Sequence, residues 1–230
     1  MAYPTPILWY KFEDNLEDSS DNGNNGTEVG TIIYGTSNTG LGKCYGPHTS
    51  DGNYISAPTN LGITGNSRWT WCMWLYTPNA DEAVQKIFEY GTDAASYKRI
   101  MFDYNRGSEL LSIHLYNHDD TFTPTISQAT WYHIGLTYDQ SIIRLYVNGT
   151  EVDTTNPPAL AITQYRHWIG RSDYKSSNEM WKGKIDNYMV WANTTLTEEQ
   201  IGEVMNETNV LPQTPISSSN VNMSNVVIGG

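Results

Sequence analysis

Cysteine is nearly absent from this chain: Cys44 and Cys72 are the only two in 230 residues. That excludes the disulfide framework on which small loop-rich secreted folds depend, and Cys72, between Trp71 and Met73, reads as a buried free thiol. Long apolar runs are absent as well, and no charged-then-apolar leader opens the sequence. Neither membrane insertion nor a secretory signal is therefore expected. Positive charge is short, with 13 Lys and Arg against 25 Asp and Glu for a net charge of −12. Nucleic acid and anionic membranes attract clustered cations, so both are disfavoured as partners. The motifs of common hydrolases are missing too. There is no alternating Glu-x-Asp-x-Glu run to flank a glycosidic bond, no Gly-x-Ser-x-Gly elbow, no phosphate loop and no His-Glu-x-x-His pair. An enzyme is not expected.

What the chain does have is tyrosine and tryptophan, 16 and 8 against 4 phenylalanines. Their rings carry a polar tip and suit sheet surfaces, interfaces and sugar faces as well as cores. Short alternating runs recur along most of the sequence. Arg68–Tyr76 carries apolar groups on both sides, which implies a central strand covered on both faces or one displaying a face for binding. Asn148-Gly149 supplies two residues tolerant of positive φ between two alternating runs, the mark of a tight hairpin. Further strands are expected near 28–35, 42–46, 52–57, 87–90, 99–104, 110–116, 167–171 and 182–191. With no intervening helical pattern, this is an all-β chain whose economical architecture is a two-sheet antiparallel sandwich. One helix is credible, where Thr197-Glu-Glu-Gln200 has capping-box form before Ile201, Val204 and Met205. The domain spans 1–208, and 209–230 forms an uncharged, extended tail.

Three stretches together carry a family resemblance: Leu8–Thr27, Trp131–Val152 and Trp181–Trp191, the last containing Gly183-Lys-Ile-Asp186. In motif order the chain resembles the laminin-G-like jelly rolls of the concanavalin A-like lectin and glucanase superfamily. The resemblance implies a jelly-roll sandwich, and a function among lectins, adhesion modules and hydrolases. It also implies that Asp186 faces an N-terminal loop, here Asp18-Ser-Ser-Asp-Asn-Gly23, with Asp21 where the family usually has glycine. A regular strand would put Asp186 on one face with Tyr188 and Val190, where a carboxylate needs hydrogen bonds or a metal. Asp18, Asn22 and Asp186 would suit a structural Ca²⁺, while the alternative is an Asp186 that accepts backbone N–H bonds.

Ligand candidates lie in polar loops and strand ends. Tyr97, Arg99, Tyr116, His118, Asp119, Tyr165, Arg166 and Tyr174 combine ring faces with groups that fix hydroxyls. Each is also readable as packing or solvated loop. His114 and His118, four apart on an expected strand, would share a face with Tyr116, but a zinc site needs further ligands. The leading expectation is a noncatalytic module that binds a glycan or a cell-surface ligand. The alternative is a structural or decoration subunit of a virus or phage particle, joined to partner subunits through the 209–230 tail. A divergent glycan hydrolase comes third.

Overall fold

A computed structural model describes residues 3–37, 42–48, 52–79, 84–92, 95–173 and 180–208. The expected arm at 209–230 and Tyr174 lie outside the described residues. Among the described residues fifteen strands and one helix follow in order. They are β1 (Leu8–Tyr10), β2 (Thr27–Val29), β3 (Tyr34–Thr36), β4 (Lys43–Tyr45), β5 (Tyr54–Ser56), β6 (Trp69–Tyr76), β7 (Val84–Gly91) and β8 (Arg99–Asn105). Then come β9 (Leu110–His114), β10 (Asp119–Thr121), β11 (Trp131–Tyr138), β12 (Ile143–Val147), β13 (Thr150–Thr155), β14 (Arg166–Ile169), β15 (Lys184–Ala192) and α1 (Glu198–Glu207).

An eight-stranded sheet runs β13-β12-β11-β6-β15-β4-β3 with β1 also paired to β15, and a seven-stranded sheet runs β10-β9-β8-β7-β14-β5-β2. Among the described residues every pairing between these strands is antiparallel, as in a jelly-roll sandwich. Among the described residues no helix is long and apolar enough to cross a membrane.

Strand β6 is covered on both faces. Trp69, Trp71, Met73 and Leu75 enter the core between the sheets, where Trp71 stacks on Phe88 with ring centroids 5.3 Å apart. On the other side Cys72 joins Met189, Trp191, Ile201 and Val204 in a smaller cluster under α1. Both cysteines are free and buried. The helix starts as its sequence demands: the Thr197 side chain accepts from the Gln200 amide, and the Gln200 side chain accepts from the Thr197 amide. Asn148 and Gly149, at φ 51° and 85°, turn the β12–β13 hairpin.

A polar chain crosses the main core. Trp71 Nε1 donates to the Tyr188 hydroxyl at 2.8 Å, and that hydroxyl lies 2.9 Å from His167 Nε2. The Pro58 carbonyl, 3.2 Å from His167 Nδ1, can only accept, so Nδ1 carries the proton of the neutral ring and Nε2 accepts from the Tyr188 hydroxyl. Burial pulls the His167 pKa down to about 4, which matches a neutral ring.

Two expectations about strand register are corrected. The strand expected over 28–35 is broken: β2 belongs to the seven-stranded sheet and β3 to the eight-stranded one. Gly30, at φ 78° and pressed against Asn53, lets the chain turn between them. In β15 the pairing with β6 slips between Asp186 and Met189, with Asn187 at φ 47°. This bulge leaves Ile185, Tyr188 and Val190 in the inter-sheet core while Asp186 pairs with Trp74, so Asp186 does not share a face with Tyr188.

Candidate functional site

The outer face of the seven-stranded sheet gathers most of the chemistry. Direct cross-strand pairing lays Ser56, Trp168, Glu89, Met101, His114 and Asp119 in one row across β5, β14, β7, β8, β9 and β10. The next row places Arg166 opposite Gly91 and Gly91 opposite Arg99. Alternation along β14 explains the division: Arg166 and Trp168 point outward, while His167 and Ile169 go into the core.

Beyond β14 the chain turns at Gly170, φ 85°, where any Cβ would overlap the Tyr45 hydroxyl. Only glycine fits, and the turn returns Arg171 to the outer face. The Arg171 guanidinium carbon lies 4.9 Å from the Tyr54 ring centre and 5.1 Å from that of Trp168. Arg166 lies 4.8 Å from Trp168 and 5.1 Å from Tyr165. Tyr54 and Trp168 themselves sit 5.2 Å apart. Tyr165 is 65% exposed, a large ring left open at the edge of this group.

Several buried charges on this face are paired. Glu89 is fully buried and accepts from Arg166 Nη1 at 3.0 Å and from the Asp173 amide at 2.8 Å, while Arg166 Nη2 reaches the Asp173 carboxylate at 2.8 Å. Farther along, Asp103 meets Lys86 Nζ at 2.7 Å and His114 Nε2 at 2.8 Å, and His114 Nδ1 lies 3.1 Å from Asp119. Breaking one side of such pairs would strand a charge in a dry site, so they hold the face rigid.

Five of the expected ligand residues meet at one end of this sheet. Arg99 lies over the Tyr116 ring at 5.8 Å, and the Tyr97 amide donates to the Leu115 and Tyr116 carbonyls at 2.9 and 3.2 Å. Asp119 pairs with His114, and His118 lies 2.7 Å from Asp120. His114 and His118 do not share a strand: β9 ends at His114, and a turn with Tyr116 and Asn117 at φ 58° and 63° carries His118 towards β10. Tyr97 is also left-handed, at φ 61°. Bulky residues in that region store strain, which clusters at binding rims. Tyr165 and Arg166 belong to the same face through the Arg166–Gly91–Arg99 row. The residues not anticipated, Trp168, Arg171, Tyr54 and Glu89, form its centre. Alternation in Arg166-His-Trp168 signalled Trp168, but nothing local signalled that Arg171 returns to it.

The residues expected to hold Ca²⁺ are divided between two places. Asp18 Oδ1 accepts from the Trp9 and Ser20 amides and Oδ2 from the Ser20 hydroxyl and the Asn24 amide, at 2.8–2.9 Å. Asn22 turns its Nδ2 towards Pro6 and Ser20. Asp186 instead accepts from Ser37 Oγ at 2.5 Å and from the Asn187 amide at 2.7 Å. Desolvation is the largest influence on its carboxyl, pushing the pKa up to about 7. A Ca²⁺ ion wants several ionised or carbonyl oxygens converging on one point, and these three residues do not supply them. Among the described residues no group of three or more His, Cys, Asp or Glu is placed to hold a metal.

Two clefts flank the N-terminal segment, one of about 470 Å³ between Pro6, Asn22 and Asn193, the other of about 260 Å³ between Tyr3, Trp9 and Glu207. Trp191 lines the first but is only 1% exposed, with its Nε1 held by the Pro4 carbonyl. Its face is not open to a ligand, unlike Tyr165.

Similar folds occur in known binding domains. Domain 4 of AbnA, an extracellular arabinanase from Geobacillus stearothermophilus solved with arabinotriose, superposes with a TM-score of 0.67 at 19% identity, over 87% of this chain and 98% of that one. The binding domain of Paraclostridial Mosquitocidal Protein 1 gives 0.70 at 15% identity, over 88% and 52%. The ligand-binding domain of botulinum neurotoxin serotype D, solved with N-acetylneuraminic acid, gives 0.69 at 13%, over 90% and 52%. The chain thus spans about half the length of these two toxin structures. No curated protein matches the sequence. The Laminin_G_3 family model matches residues 49–202, two-thirds of the chain, and that stretch contains both the β12–β13 hairpin and the closing strand β15. On that match the chain belongs to this family of the concanavalin A-like lectin/glucanases superfamily.

Proposed function

We propose that the chain is a noncatalytic recognition module that binds a glycan on the outer face of its seven-stranded sheet. The observation that carries this reading is the open Tyr165 ring beside Tyr54 and Trp168, with the Arg166 and Arg171 guanidinium groups lying over the rings of this group. Pyranose C–H faces pack on such rings while guanidinium and amide groups fix hydroxyls. The strained Tyr97 and Tyr116, with Arg99 and Asp119, supply an adjoining rim. Known relatives of the fold support the ligand class, since one was solved with arabinotriose and another with N-acetylneuraminic acid. A cell-surface saccharide is the natural target for such a module.

Catalysis is not part of this reading. The buried carboxylates on the face, Glu89 and Asp103, are each held by a cation, Arg166 and Lys86, so neither stands ready to give or take a proton at a glycosidic oxygen. A glycan array provides the test. Reproducible hits that disappear in both Tyr165→Ala and Trp168→Ala, with melting temperatures retained, are expected. A blank array with the folded protein would remove the glycan reading.

A further inference from the structure

We infer that the saccharide taken by this face carries a carboxylate, received by Arg171. The inference rests on the glycan reading above and narrows its ligand class. Its ground is the difference between two neighbouring arginines. Arg166 commits Nη1 to Glu89 and Nη2 to Asp173. Arg171 lies over Tyr54 and Trp168 and has no ion pair or hydrogen bond among the described residues. Asp173, two residues away and the nearest carboxylate in sequence, is held by Arg166.

A guanidinium resting over aromatic rings uses its face for that contact and keeps its in-plane N–H donors free. Those donors form a fork matched to the two oxygens of a carboxylate, and the rings beneath restrict the rotamers that a free arginine would have to give up on binding. Arg171 is half-buried, so the pair would form in a partly dry setting where charge-assisted bonds count for more. A pyranose lying on the open Tyr165 ring carries its acid group at the sugar's edge, where such a fork can take it. A net charge of −12 does not prevent this, because at physiological ionic strength the field of distant acids is screened beyond about 8 Å.

Two kinds of sugar acid have this chemistry, sialic acids and hexuronic acids, and the test separates them. Sialyllactose and trigalacturonic acid are titrated by calorimetry into the wild-type protein, each beside its methyl ester, which keeps the ring and removes the charge. The free acid of at least one should bind at least about tenfold more tightly than its ester, and Arg171→Gln should abolish that preference with an unchanged melting temperature. Equal binding of acid and ester, or an acid preference that survives Arg171→Gln, overturns the inference while leaving the glycan reading intact. Binding confined to neutral array glycans does the same. A blank array together with no binding of either acid removes both.

Discussion

Replacing Asp186 with asparagine should abolish a fall in stability that the wild-type protein shows between about pH 4 and pH 7. Asp186 is 2% exposed, and its pKa rises from 3.8 to about 7, chiefly through desolvation, with the charge on Glu13 adding to the rise and bonds from Ser37 and Asn187 opposing it. Across that window the folded state keeps a proton that the unfolded chain has released. The stabilisation is complete below the unfolded value and lost as pH climbs through the folded one, a span worth about 4 kcal/mol. Asparagine has the same shape, stays neutral throughout, still accepts from the Asn187 amide and can donate to Ser37. Urea unfolding of both proteins, stepped from about pH 4.5 to about pH 7.5, measures the difference. Comparing the two cancels the buried histidines, which act in the opposite sense in each. The variant should gain on the wild type by several kcal/mol as pH rises. Parallel curves would show that Asp186 ionises without cost, and a wild type that gains on the variant would mean that the charged carboxylate is the stabilising form, as around a bound cation.

Metal stripping provides a related check: EDTA should leave the melting temperature unchanged, because the Asp18 oxygens already accept four protein donors. His133 is buried against Trp74, neither ring nitrogen has a hydrogen-bond partner among the described residues, and its pKa is pulled down to about 3 from 6.5 by desolvation. Stability linked to it is present above the unfolded value and lost as pH falls, so His133→Phe should raise the urea midpoint at about pH 4 far more than at about pH 7. Tyr188→Phe removes the hydroxyl between Trp71 and His167 and leaves two buried groups unmatched, for a cost of about 3 kcal/mol by denaturant unfolding.

The parts of this fold readable from the sequence are those whose cause is local. Asn148-Gly149 needs no tertiary partner to favour a tight hairpin, and Thr197 with Gln200 closes a capping box within four consecutive residues. The two-sided apolar pattern of β6 left open a strand covered on both faces or one displaying a face, and the helix and inter-sheet core cover both sides of it. What could not be read depends on contacts between distant residues. The bulge at Asn187 reverses the side on which Asp186 emerges, and no spacing rule marks it. Tyr45 from the other sheet leaves no room for a Cβ at Gly170, and the turn there brings Arg171 onto Tyr54 and Trp168. Tyr165 and Arg166 were visible as candidates because they stand in a polar stretch, and alternation from Arg166 was the one local signal that joined Trp168 to them. The separation of His114 from His118 likewise follows from a turn held by Tyr97 against the Leu115 and Tyr116 carbonyls.

The central claim, that the outer face of the seven-stranded sheet is the binding surface, is tested most directly by a crystal structure with the array's strongest saccharide. In that crystal a sugar ring should lie within roughly 4 Å of Tyr165, with a donor from Arg171 on one of its oxygens. A saccharide seated instead in the clefts beside Pro6, with Tyr165 and Arg171 untouched, would contradict it.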